Sequence, residues 1–417
     1  PQVNNQAISS AIVIIAVLLL IKVSEMFGER RIVASIRTKL LLISLALTLI
    51  PLIVLSFISN RFLQTSIQSQ SNEALRVAAD QTRLAVDNFF QSNLDALEIE
   101  STLGSIRSYL SIAPSERSNS VEESAMRSTL LSLQTKEQIY QPSYAILDLI
   151  GTNLYDTDRN NIGDSEAETS YFQSTSLTGA SYVSSVEFLP DSTKGFIYFI
   201  TPIKSVSAQV IGYLRSRYDA RILQSLLDDN VSLSGNRSYP ILLDENGLRL
   251  ADGFSPNLIY HMISDIPRET YDTLVSTKRL PSTISYEEIS SPLNELASAL
   301  SSPAEVAYYT ANLQVQQKMI PHSGALLTTS SQPWSVAYLQ DQSGLTASLS
   351  EQNRLSTAIS LLMAGIVSIF VILAANQFSK PIIEITRSAE KIADGDLGVQ
   401  AKVTSNDEIG TLGTAFN

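Results

Sequence analysis

Between Val210 and Asp219 alternate residues fall on opposite sides of an extended chain: Tyr213, Arg215 and Arg217 on one, Leu214, Ser216 and Tyr218 on the other. If the arginine side lines a pocket, the preferred ligand is an anion, because a guanidinium matches a carboxylate through paired N–H donors. Tyr171, Phe172 and Tyr182 are suited to wall such a pocket, offering apolar rings and, from the tyrosines, a polar edge. The alternative is a solvated arginine face with the tyrosines in the core. Asp156-x-Asp158-x-Asn160 has the opening spacing of a calcium loop. Asn161 stands where that loop needs glycine, however, and Ala167 where it needs glutamate, so a polar hairpin explains it as well. His261 and His322 are the only histidines and stand far apart in the chain, which supports neither a metal cluster nor a Ser-His-Asp nucleophile. Ser388 and Lys391 have Ser-x-x-Lys spacing but lie in a helical stripe, and there is no phosphate-cradling glycine loop or nucleophile elbow. These residues point to binding, with no catalytic residue, metal or cofactor expected.

The background composition narrows the partners. A net charge of -12 over 417 residues, with no basic stripe, argues against nucleic acid, whose affinity depends on clustered Lys and Arg. The absence of cysteine removes disulfides and thiolate chemistry and leaves the redox compartment open. The sequence starts at Pro1 and stops at Asn417 within a helical pattern, so we expect both ends to be cut.

The elements that must position these residues are set against a membrane. Leu40 to Ile58 and Ala358 to Ala375 are uncharged apolar runs of spanning length, and Pro51 is expected to kink the first. Ile8 to Val23 is a shorter candidate with Lys22 near its end; a signal-peptide core is the alternative, but the small-residue cleavage site is missing. Arg30, Arg31, Arg37 and Lys39 form a short basic loop of the kind kept in the cytoplasm, as do Lys380, Arg387 and Lys391 after the last run. Residues 59 to 355 are then extracytoplasmic.

After the last run come Pro381, the helically spaced Ile382, Ile385, Ala389 and Ile392, then Gly395-Asp396-Leu397, and then Asp407-Glu408-Ile409-Gly410. Gly395 suits a helix end that needs positive φ, and Glu408 a first turn where a carboxylate meets the positive end of the helix dipole. This tail resembles a HAMP domain, cut short at Asn417; a juxtamembrane pair of amphipathic helices is the bland alternative. The resemblance implies a parallel four-helix bundle of two copies that relays movement, with Pro381, Gly395 and Glu408 as relay positions.

Arg61 to Leu110 has no proline and reads as one helix of roughly 70 Å, too long for one small domain to bury, which implies a homodimer; Gly104 and Ser105 are the expected interruption. Beyond it, Ser143 to Leu149 and Leu154 to Asp156 read as a hairpin, and Gly195 to Ile203 and Val210 to Tyr218 as two more strands. Tyr239 to Leu243, the turn Asp244-Glu245-Asn246-Gly247 and Leu248 to Ala251 repeat the opening, with Trp334 to Leu339 closing the second unit. In order and pattern this resembles the double Cache sensors of bacterial receptors. The expected fold is a membrane protein in which transmembrane helices flank an α+β tandem PAS-like ectodomain on a long N-terminal helix, with cytoplasmic HAMP helices. Its parts are a first span and basic loop (1–39), a span (40–58), the long helix (59–112), a membrane-distal unit (113–228), a membrane-proximal unit (229–345), a linker and span (346–376), and HAMP (377–417).

The resemblance implies a small-molecule ligand in the distal unit. Its amino-acid-binding members carry an Arg-x-Trp-Tyr loop and a strand aspartate. Here those positions hold Thr169, Ser170, Tyr171 and Phe172, and Arg217, which puts an ordinary amino acid in doubt. A multi-pass receptor of the bacterial inner membrane is implied, in contact with lipid, its output a histidine kinase, or else a chemotaxis module or nucleotide cyclase. A reading of another class is a membrane-anchored accessory subunit without output.

Overall fold

The computed structural model describes residues 35–417 apart from 138, 142, 302–305, 316–317 and 403–406; the apolar stretch Ile8 to Val23 and the basic pair Arg30 and Arg31 lie outside the described residues. The chain divides into two compact units, one of Ser69–Leu345 and one of the flanking ends.

Helix α1, Ile36–Glu100, runs unbroken through Pro51. Its apolar stretch Ile36–Ser59 has a mean hydropathy of 2.8, and only 6% of its most apolar window is buried in the chain, so it is not a core helix. The later part carries Leu75, Ala78, Ala79, Val86, Phe90 and Leu97, all buried at steps of three and four that sum to one helix face. The helix ends sooner than Gly104. Thr102 and Leu103 turn their N–H groups to the carbonyls of Ile99 and Glu100, tightening the last turn, and Gly104 instead opens α2, Gly104–Ser111. Helix α3, Val121–Gln134, follows, capped by Ser120, whose hydroxyl accepts from the Glu123 N–H at 2.9 Å.

The first sheet contains β1 (Ser143–Leu147), β2 (Asn153–Asp156), β3 (Tyr182–Val183), β4 (Glu187–Phe188), β5 (Gly195–Lys204) and β6 (Val210–Asp219), in the order β2-β1-β6-β5-β3 with β4 also on β5. Helix α4, Ser170–Thr178, covers one face. After α5, Arg221–Asp228, the second sheet contains β7 (Ser238–Leu243), β8 (Arg249–Asp252), β9 (Ala307–Val315), β10 (Lys318–Thr328) and β11 (Ser335–Asp341), in the order β8-β7-β11-β10-β9. Helices α6, Arg268–Ser276, and α7, Asn294–Leu300, lie between β8 and β9 in the chain. All pairings in both sheets are antiparallel, and the orders correspond strand for strand. Strands β9 and β10 were not read from the sequence; in β10, Pro321 and Gly324 interrupt a run that otherwise has the composition of a strand.

Each sheet has two buried faces. One core joins Val86, Phe90 and Leu97 of α1 to Ile146, Phe199, Leu214 and Tyr218 of the first sheet, to Leu242 and Val336 of the second, and to Trp334 just before β11. The opposite faces carry separate apolar clusters, one around Tyr171, Phe172 and Tyr213, the other around Tyr239, Ile241 and Leu243. Helix α8, Gln342–Ala393, which from Thr346 on belongs to the flanking unit, is continuous through a second apolar stretch of mean hydropathy 2.7, its most apolar window only 11% buried, and through Pro381. Gly395 follows at φ +100°, and Asp407 caps α9, Glu408–Phe416, by accepting from the N–H groups of Ile409 and Gly410. Glu408 thus stands in the first turn of α9.

Candidate functional site

The face of the first sheet turned away from α1 collects the residues singled out above. Strand alternation sends Leu214 and Tyr218 into the core shared with α1, and Tyr213 to the opposite face with Ala145, Leu147 and Ile200. Helix α4 lies over that face because Thr169 to Phe172, expected as a loop, forms its N-terminus, with Thr169 at the cap position. Its first turn delivers Tyr171 and Phe172 to the sheet. Tyr171 stacks on Tyr198 with ring centroids 4.5 Å apart, Phe172 meets Tyr213 edge-on at 5.1 Å, and Tyr182 packs half-buried beside them.

Arg215 is fully enclosed. It donates from Nη2 to Asp156 and to Glu166, each at 2.8 Å, from Nη1 to Ser143 Oγ at 2.8 Å, and from Nε to Glu166 at 3.3 Å. Asn153 Nδ2 bridges the two carboxylates at 3.2 and 3.0 Å, and the Tyr171 hydroxyl donates to Glu166 at 2.8 Å. One cation is therefore shared by two carboxylates, all less than 10% exposed. Burial works to raise the Glu166 pKa, but the Arg215 guanidinium and the donors from Tyr171 and Asn153 hold it below the usual carboxylate range. Burial would lower Arg215, and Glu166 and Asp156 more than reverse that. The Tyr171 hydroxyl is raised, first by burial and then by the charge of Glu166. This cage, not an open pair of arginines, is the electrostatic centre of the face.

Arg217 is placed differently. Its Nη2 donates to Asp158 at 2.8 Å and its guanidinium lies 4.8 Å from the Phe196 ring centroid, while Nε has no hydrogen-bond partner among the described residues. Burial works to raise the Asp158 pKa, but the bond and charge of Arg217 together with the donors of Asn160 lower it. Asp156 and Asp158 of the calcium-like spacing are thus engaged by Arg215 and Arg217. No group of three or more His, Cys, Asp or Glu side chains gathers to hold a metal among the described residues.

Glu166 and Asn153 were not singled out from the sequence. Glu166 sits in a polar run, Asp164 to Thr169, with no alternation to betray an inward side chain. At the rim, Ser170 Oγ donates to Glu187 at 2.7 Å, and burial raises the pKa of that carboxyl.

Residues 373–417 match the HAMP domain family. No relative was found among curated protein sequences. The chain is similar to the sensor domain of the Vibrio cholerae histidine kinase DctB, at 13% identity over 66% of this chain and 98% of that one, with a TM-score of 0.48. It is also similar to the periplasmic domain of RsbU from Chlamydia trachomatis, at 13% identity over 70% and 99%, TM-score 0.49. A third similar structure is the ligand-binding domain of the Campylobacter jejuni chemoreceptor Tlp3 in complex with L-valine, at 11% identity over 67% and 96%, TM-score 0.44.

Proposed function

We propose that this chain is the input half of a transmembrane receptor: the unit Ser69–Leu345 senses a small molecule outside the membrane, and α8 carries the response to the HAMP domain. The carrying observation is the order of parts. A two-sheet unit lies between two helices of membrane-spanning length, and the second of these continues into a HAMP domain, whose role is relay. The localisation we infer is the bacterial inner membrane, with residues 59 to 355 outside. The two described helices supply one crossing out and one back, and Ile8 to Val23 a further span. The output that it drives is a histidine kinase in this reading.

The ligand site is the α4-covered face. The ligand we propose is a small organic anion whose body lies against Tyr171, Phe172, Tyr182 and Tyr213. Arg215 already shares its charge with Asp156 and Glu166, so the anionic group is received by Arg217, whose Nε is unused and whose partner Asp158 is the more exposed member of the pair.

Two experiments test this. The chain has no cysteine, so single-cysteine labelling is free of background. With a membrane-impermeant maleimide, Ser207→Cys is expected to label in intact cells and Thr411→Cys only after the membrane is opened. Labelling of Thr411→Cys from outside, or protection of Ser207→Cys, would end the receptor reading. For the ligand, Arg217→Ala is expected to weaken binding of the responding carboxylate by about tenfold or more, the loss of one charge-assisted contact. An unchanged calorimetric titration across a panel of organic acids would remove Arg217 from the site.

A further inference from the structure

The two sheets follow one plan, so their positions can be matched through hydrogen-bond register. In the second sheet Asp252 lies opposite Ile241 and Arg249 opposite Leu243, where the first has Asp156 opposite Ala145 and Asn153 opposite Leu147. Ile263 N–H donates to the Gly247 carbonyl at 3.0 Å, as Glu166 N–H donates to that of Gly151 at 2.8 Å. On the central strands Ala337 lies opposite Ile241, as Arg215 lies opposite Ala145. The second unit therefore keeps one guanidinium and one carboxylate on this face, with the arginine moved to the edge strand. An isoleucine stands where the first unit has its second carboxylate.

That exchange leaves Arg249 short of acceptors. Its side chain is 1% exposed; Nη2 donates to the Ser291 carbonyl at 2.9 Å and Nε stands 3.5 Å from Asp252. Nε and Nη1 make no hydrogen bond among the described residues. Asp252 meanwhile accepts the N–H groups of Phe254 and Ser255, each at 2.8 Å. Burial lowers the Arg249 pKa and raises that of Asp252, and their mutual attraction does not undo either shift. Arg215, by contrast, has an acceptor for each of its three nitrogens. A buried guanidinium with unused donors is stabilised by a charged acceptor. A groove of about 560 Å³, lined in part by Asn246, Gly247, Ser264 and Asn294, lies over the β7–β8 turn. Ile263 lines this groove and also packs in the apolar cluster of the Arg249 face.

We propose that the second unit has its own ligand site, for a short monocarboxylate: the carboxylate binds Arg249, filling the role that Glu166 fills in the first unit, and the hydrocarbon tail lies against Ile241, Leu243 and Ile263. The groove beside Ile263 is its entry. This site is separate from the α4-covered face.

The test uses the full chain in lipid nanodiscs, titrated with acetate, propionate and butyrate by calorimetry. The fluorescence of Trp334, the single tryptophan, buried immediately before β11, is read alongside. A saturable signal is expected for at least one acid. The double variant Arg249→Met/Asp252→Asn removes both charges together, which a buried pair tolerates far better than loss of one partner. It is expected to keep the wild-type Trp334 emission and to weaken binding by about tenfold or more. Arg217→Ala is expected to leave this binding in place. The proposal is overturned if none of the three acids gives a saturable signal, if binding survives the double variant unchanged, or if Arg217→Ala abolishes it, which would assign the binding to the first sheet.

Discussion

Arg215 ties Asp156 and Glu166 together at less than 10% exposure, so removing it alone leaves two buried carboxylates with no cation. Arg215→Met is expected to destabilise the protein by about 3–5 kcal/mol near neutral pH, and adding Glu166→Gln to recover part of that loss. The pH dependence gives a sharper check. In the wild type Glu166 titrates below its unfolded value, so its contribution is fully present above that value, roughly pH 4.3, and is lost as pH falls through the folded pKa. In Arg215→Met the same carboxyl, buried beside Asp156 without a cation, titrates above its unfolded value, and its penalty is relieved as pH falls. The gap between wild type and variant in urea unfolding should therefore narrow between pH 7 and pH 5; a gap that widens would mean that Arg215 does not carry the pair. The sequence disclosed the alternation that puts Arg215 on the α4 side. It could not disclose that the chain supplies its own counter-charge, because Glu166 reaches the cage through a turn whose backbone path only the fold defines.

At the scale of elements, the turns that open both sheets were legible because their geometry demands particular residues. Asp148 Oδ1 accepts from the N–H groups of Ile150 and Thr152, Asp244 Oδ1 from those of Asn246 and Leu248, and each turn closes on a glycine, Gly151 at φ +86° and Gly247 at φ +81°. Gly151 is constrained twice, since a Cβ there would lie 2.9 Å from the Ala167 backbone. Gly163, at φ +90°, has nothing within 4 Å of its Cβ position. Gly163→Ala should thus lose only the handedness term, about 1–2 kcal/mol, and Gly151→Ala distinctly more. Equal losses in paired thermal unfolding would show that the Ala167 segment yields freely. Strands β9 and β10 were illegible for the complementary reason: their signal is tertiary. Gly324 in β10 is the place where the Tyr309 ring of β9 lies, so a Cβ there would collide with that ring, and the residue that looks like a strand breaker is a packing device.

For the whole molecule, the receptor reading requires α8 to act as a rigid rod from Gln342 to Ala393, and the helix supports it by continuing through Pro381 without a break. The proline follows the apolar stretch, and the side chains of Ile382, Ile385 and Ile392 on the continuing helix are partly buried. That is the stripe from which the HAMP tail was recognised, and short-range periodicity sufficed to find it because a helix face repeats every three to four residues. Rotational phase along a rod is measurable without knowing the ligand. With Ala389→Cys in the otherwise cysteine-free chain, disulfide formation between two copies in the membrane reports how that face of α8 is presented in the dimer we expect. Two alanines inserted after Ala375 turn everything beyond by about 200°, whereas seven turn it by about 700°, within about 20° of two full turns. Cross-linking of Ala389→Cys should accordingly collapse with two inserted residues and return with seven. If both insertions leave it unchanged, the HAMP helices set their own phase, and α8 does not transmit rotation from the sensing unit.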